Sequence, residues 1–281
     1  MLVTAKYAAA LLAPISAFLV LSSCSSTPAG PQMGTPAFYW QAARKTFAQG
    51  DYMKTLEHLD RILATDNDYT ARALPWSLVL SSGMAAGYME MGDDYAIGAR
   101  LNRVNPLAYR KLTTNSRGFA NRLALQFADD FGKIGKLKEG PVPLAFGYPR
   151  GTAAQVPALL KAAGGVLISP AEIETAQKQA VERGVLLMAC RAAGAPDDTA
   201  KAQEVLKGPD GAVPRATFLM AMADALYNES QLYTRDKLDE PQKLEIFCQR
   251  AQDALKSVPD SKETKGLAAK IQSALKKSRK S

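Results

Sequence analysis

The sequence predicts an all-α protein. Alanine, Leu, Lys, Gln and Glu dominate it, residue types that lose little freedom in a helix. Period-2 alternation, the mark of half-buried strands, is scarce. Gly and Pro breaks fall between runs of helical length, and the apolar residues in those runs recur every three to four positions. At 281 residues the chain is long enough for a sizeable core, as one long helical domain or two lobes.

Residues 1–23 read as a secretory signal peptide. Lys6 supplies the positive start, and Tyr7 to Leu21 is an apolar run too short for an ordinary membrane span. Residues 24–35 are small, polar and rich in Pro and Gly, a composition that buries too little to order itself, and read as a flexible tether.

Helical signals begin at Thr35-Pro36, an N-cap followed by a proline at the first helical position. Trp40, Ala43 and Phe47 share one face, as do Tyr52, Leu56, Leu59 and Leu63 across the break at Gly50-Asp51. A hairpin this short cannot bury both stripes alone, so further helices must stack on it. Leu74 to Met91 is the next helix, with Gly83, Ala86 and Gly87 as a small-residue flank. A break at Gly92-Asp93-Asp94 and a partner helix from Asp94 to Val104 follow, closed by Asn105-Pro106. Segment 36–134 then ends on a helix from Leu107 to Ile134.

Residues 135–152 carry three prolines and four glycines, a long irregular stretch for a helical domain. They are either a hinge or binding loop exposing Phe146 and Tyr148, or a connector between lobes. Segment 153–281 continues with a short helix interrupted at Pro157. Ser169-Pro170-Ala171-Glu172 is a capping box opening a helix that stops at Gly194-Ala195-Pro196. Helices over Thr199–Leu206, Pro214–Tyr233, Pro241–Val258 and Asp260–Lys277 complete the chain, the last opened by Asp260 and Glu263 and followed by a basic tail.

Leu21-Ser22-Ser23-Cys24 resembles the bacterial lipobox. The resemblance implies cleavage before Cys24 and acylation of its thiol, with several acyl chains giving effectively permanent anchoring. Ser25, rather than Asp, favours the outer over the inner membrane by the same resemblance. The Pro36–Asn67 hairpin resembles a tetratricopeptide repeat. Gly50-Asp51-Tyr52 matches the family's turn, Tyr39 or Trp40 its first aromatic, Ala43 its small contact position, Leu59 its large apolar one and Asp66-Asn67 its close. Thr55 and Ile62 depart from it, standing where the family usually has Ala, and the Gly50-to-Gly92 spacing exceeds its ~34-residue period. The C-terminal helix pair is also similar in pattern to the helical lipoproteins that accompany TRAP transporters. The repeat resemblance implies a TPR-like stacked scaffold or adaptor for a protein or peptide partner. The transporter resemblance implies the alternative, a small-ligand-binding accessory.

Chemistry is sparse. His58 is the only histidine and faces away from the apolar stripe of its helix; no HExxH, CxxC, GxxxxGK[ST] or GxGxxG pattern occurs. Ser273 and Lys276 fit Ser-x-x-Lys without companion motifs, and Asp129-Asp130 point to different sides of a helix. No enzyme activity, metal or cofactor is expected. Phe119, Leu123, Phe127 and Phe131 form an apolar stripe, read as core or as the wall of a ligand groove that would include Phe146 and Tyr148. Cys190 and Cys248 are a candidate disulfide in an oxidising compartment, closing a loop of roughly 58 residues worth about 4 kcal/mol, or two buried thiols. The net charge of +8 has its largest cluster at Lys276, Lys277, Arg279 and Lys280; outside the cytoplasm it would meet lipid headgroups or wall polymers rather than nucleic acid.

Overall fold

The computed structural model describes residues 30–137, 139–208 and 211–278. The expected signal peptide, Cys24, the first half of the expected tether and Arg279 and Lys280 of the basic tail lie outside the described residues.

Ten α-helices occur among them: α1 (Pro36–Gln49), α2 (Tyr52–Leu63), α3 (Thr70–Leu101), α4 (Pro106–Phe131), α5 (Pro157–Ala163), α6 (Pro170–Ala192), α7 (Thr199–Val205), α8 (Arg215–Ser230), α9 (Pro241–Leu255) and α10 (Lys262–Ser278). Short 3₁₀ turns cover Ile134–Lys136 and Gln231–Tyr233. The all-α expectation holds, with one small exception that the sequence did not announce. Strands β1 (Val142–Pro143) and β2 (Ala212–Val213) pair antiparallel, Val142 opposite Val213.

The α1–α2 hairpin forms as its caps dictate. The Thr35 hydroxyl accepts from the Phe38 amide at 3.3 Å, Gly50 turns left-handed at φ 79°, and the Asp51 carboxylate accepts from the Lys54 amide at 3.1 Å. Both stripes are buried. Thr55, the departure from the repeat pattern, has a job: its hydroxyl lies 2.9 Å from that of Thr46 on the facing helix and donates to the Asp51 carbonyl.

The expected second hairpin does not exist. Residues 70–101 are one helix of 32 residues that runs straight through Gly92-Asp93-Asp94. The buried stripe shows why: Tyr88, Met91, Tyr95 and Gly98 continue the three-to-four spacing across the supposed break. Burying that stripe outweighs the ~1 kcal/mol cost of a mid-helix glycine. Asn105-Pro106 therefore opens α4 rather than closing a repeat, Asn105 accepting from the Ala108 amide at 3.1 Å. α4 runs antiparallel to α3, as Ser77–Asp130, Tyr88–Phe119 and Tyr95–Tyr109 pair in reverse order.

On its other side α3 meets α6 at very close range. A Cβ on Gly83 would sit 2.7 Å from the Val185 Cα, one on Gly87 2.4 Å from the Ala180 oxygen, and one on Gly184 2.1 Å from the Gly83 oxygen. The two helices thus touch backbone to backbone. Glu90–Arg183 at 2.5 Å and Tyr88–Gln177 at 2.9 Å extend the contact toward one end. Because α6 follows the 135–152 segment in sequence, segments 36–134 and 153–281 share one core rather than closing two.

Two starts move by a residue or more. Pro157 begins α5 at its first position instead of interrupting a helix, since proline lacks only an amide that has no partner there, whereas Pro75, expected near a helix start, lies inside α3. Before α10 the reciprocal cap is Ser261–Thr264, with amide-to-hydroxyl distances of 2.8 and 3.1 Å, not Asp260–Glu263. The Ser169–Glu172 capping box forms as expected, and the Ser169 amide and Lys161 hold the Glu172 carboxyl down to about 2.

Two helical glycines should respond to Gly→Ala in opposite directions. Gly87→Ala must push α6 away and should lower urea-unfolding stability by roughly 1–3 kcal/mol. Gly118→Ala, on α4 with nothing within 4 Å of its would-be Cβ, should raise it by about 0.5–1 kcal/mol.

Candidate functional site

Of the two readings of the Phe119–Phe131 stripe, core and groove wall, the core one holds. Leu123, Phe127 and Phe131 are core residues. Only Phe119 reaches the surface, at 40 % exposure, stacked on Tyr88 with the Arg122 guanidinium 5.1 Å from its ring centre. The stripe lies on the helix face that α3 covers, so it cannot wall a cavity.

The 135–152 segment is a strap, not an open loop. Phe146 inserts among Trp40, Phe47 and Trp76, with ring centroids 4.8, 5.2 and 5.3 Å away. The Leu144 amide donates to the Gly211 carbonyl at 2.6 Å beside the β1–β2 pair. The Tyr52 hydroxyl accepts from the Arg150 amide at 2.6 Å and lies 3.1 Å from its carbonyl; burial raises its pKa. Tyr148 is half-buried and hydrogen-bonded to Cys190 and Thr199. Sequence reasoning read these two rings as exposed because their surroundings come from helices distant in sequence.

Cys190 and Cys248 are free, buried thiols rather than a disulfide. Each has its own neighbour: Tyr148 for Cys190, and the Ser230 hydroxyl, 3.6 Å away, for Cys248. Burial pushes both thiol pKa values up, which makes them poor nucleophiles. His58 is half-buried beside the Tyr39 ring at 6.2 Å. Among the described residues no group of three or more His, Cys, Asp or Glu is placed to hold a metal.

The structure instead assembles a recess of about 630 Å³ from three separate segments. Thr217, Met220 and Ala221 of α8 form one wall. Gly194 and Pro196 after α6 form a second, and Val258 and Pro259 between α9 and α10 a third. Its rim carries the Arg191–Asp224 ion pair at 3.0 Å, and Asn228 donates to the same Asp224 oxygen at 3.0 Å. Ser261, Glu263 and Thr264 at the start of α10 complete the lining, so a small-residue apolar floor is edged by the Arg191–Asp224 pair and a further carboxylate, suited to an aliphatic side chain and a nearby polar group. It holds no histidine or cysteine. The Gly194-Ala195-Pro196 stop and Val258-Pro259 were visible in sequence as helix ends, but nothing local showed that they would meet.

Among the buried polar groups without a hydrogen-bond partner is one carboxyl. Glu229 on α8 is 2 % exposed, and neither carboxyl oxygen is hydrogen-bonded; burial raises its pKa well above the usual carboxylate range. The nearby Tyr233 hydroxyl is likewise buried and unpartnered, its pKa raised by burial and then by Glu229. Asp60 and Asp94 are pushed up to about 6, chiefly by burial.

These titrations have one sign. A carboxyl raised in the folded state stays protonated where the unfolded chain has lost its proton, so stability falls as pH rises above the ordinary carboxylate range. Relative to wild type, Glu229→Gln should gain roughly 1.4 kcal/mol per pH unit across that window until Glu229 itself ionises. Denaturant midpoints from pH 4 to 8 measure this, and parallel curves would show that Glu229 keeps an ordinary pKa. Thiol titration of the chain from Ser25 should find no fast-reacting thiol when native and two after denaturation without reductant. Comparison of the chain with family models, curated proteins and solved structures returns no match.

Proposed function

We propose that the protein is a bacterial envelope lipoprotein, acylated at Cys24 and facing the periplasm, at the outer membrane rather than the inner. On this reading it is a non-catalytic scaffold or adaptor. The α1–α2 hairpin is its tetratricopeptide-like element, and a protein or peptide partner seats a side chain in the α6–α8–α10 recess. The observation that carries the partner role is that recess: open, with an apolar floor, and edged by the Arg191–Asp224 pair and Glu263, which can orient a polar backbone. The Cys24 motif carries the placement, and acylation there accounts for membrane attachment without a spanning helix, since no helix among the described residues is long and apolar enough to cross a bilayer. The transporter-accessory alternative draws no support from Phe119, Leu123, Phe127 and Phe131, three of which are core.

Two measurements test the two halves. Palmitate fed to cells should label the wild type and not Cys24→Ala; label on the variant would overturn the placement. A membrane pulldown should recover a stoichiometric protein with the wild type and lose it, by at least tenfold, with Met220→Arg. Native mass spectrometry showing a retained small molecule, or a pulldown unchanged by the variant, would overturn the adaptor role.

A further inference from the structure

One end of the molecule exposes apolar side chains that no core contact explains. The C-terminal turn of α3, the Asn102–Asn105 link and the first turn of α4 present Leu101, Val104 and Leu107, which are 58, 85 and 68 % exposed. Beside them, α5 and the turn after it present Leu160, Val166 and Leu167. The two segments are locked together. The Asn102 side-chain amide donates to the Gly165 carbonyl at 2.7 Å, the Tyr109 hydroxyl donates to the Val166 carbonyl, and the Leu101 side chain lies against Gly165. The exposure is therefore built into an ordered end of the fold.

The charge around these residues is predominantly positive, with Glu172 the carboxylate at its margin. No Asp or Glu occurs between Asp94 and Asp129, or between Gly151 and Ala171. Arg100, Arg103, Arg110 and Lys111 are all exposed, and none forms an ion pair among the described residues. Arg100 and Arg110 face a shared surface recess of about 690 Å³. Lys161, the remaining cation, is paired with Glu172 at 3.0 Å.

We propose that this end is a membrane-surface face that dips Leu101, Val104 and Leu107 into an anionic phospholipid bilayer while Arg100, Arg103, Arg110 and Lys111 reach its phosphates. Protruding aliphatic residues flanked by long cationic side chains suit the boundary between headgroup and acyl chain, where the stems cover apolar surface and the charged heads stay in water. A second copy of this chain is disfavoured, because a two-fold contact would bring four cations against four like charges. The face does not depend on Cys24; it would orient the helical body against a lipid surface whether or not an acyl chain holds it there.

The chain from Ser25 tests this, since it lacks both leader and acylation site yet keeps every described contact. It should co-float with phosphatidylglycerol-rich vesicles and bind pure phosphatidylcholine vesicles at least tenfold more weakly. Leu101→Ser/Val104→Ser/Leu107→Ser should lose at least tenfold on anionic vesicles. Arg103→Gln/Lys111→Gln should lose roughly 25-fold, about fivefold per charge. Ile246→Ser, an exposed residue on α9, should change nothing, and circular dichroism should show every variant folded. No binding of the wild type to anionic vesicles, or equal losses from Ile246→Ser and the triple variant, would overturn the proposal. So would a concentration-dependent dimer that the triple variant dissolves, which would assign the face to a second copy.

Discussion

The closeness of α3 to α6 governs what else the chain can do. At Gly83, Gly87 and Gly184 the two backbones meet with no side chain between them, at distances a single Cβ would violate. That approach lets α3 bury residues on nearly every side: α2 and α4 cover other faces, and α5 backs onto Gly98. A helix enclosed in this way can be buried on every side, and α3 is so without a break from Ala73 through Ala85, three small serines included. It also accounts for the absence of a second repeat-like hairpin. A break at Gly92 would have opened the stripe that runs through Tyr88, Met91, Tyr95 and Gly98.

The second constraint is the strap. Eighteen residues without a helix would be costly to order unless something holds them, and here the holding is aromatic and polar together. Phe146 fills the gap between Trp40, Phe47 and Trp76, while Tyr52 fixes the Arg150 backbone from both sides and β2 pairs with β1. The repeat-like hairpin, the central helix and the α7–α8 connection are thereby tied at one place. This is also why the aromatic residues read from sequence as a binding surface are spent on packing.

What remains for recognition is at the edges of the core. The α6–α8–α10 recess sits where three helix ends leave a gap that small residues do not fill. The exposed leucines and valines around Val104 sit where two helix ends and a turn project beyond their neighbours. The first is edged by Arg191, Asp224 and Glu263, whereas the second carries four cations unpaired among the described residues, Arg100, Arg103, Arg110 and Lys111, so the two differ in charge. The buried, unpartnered Glu229 belongs to neither and makes its contribution through the pH dependence of stability.

The sequence by itself determined what depends on near neighbours. Helical content, the caps at Thr35, Asp51 and Ser169, the α1–α2 hairpin and the core face of α4 follow from spacing and hydrogen-bonding residues a few positions apart. The small flank at Gly83 and Gly87 was legible as a contact, though not its partner. Tertiary structure decided everything that depends on which distant segments meet: one continuous α3 in place of a hairpin, an inward Phe146, two separate thiols at Cys190 and Cys248, and a recess drawn from residues 194 to 259. The physical reason is that local propensity is worth about 1 kcal/mol at a glycine such as Gly92 and about 3 kcal/mol at a proline such as Pro75, whereas burying a whole stripe of large side chains against other helices is worth more in sum. Where the two conflict, packing wins, and packing partners are not written in the local sequence.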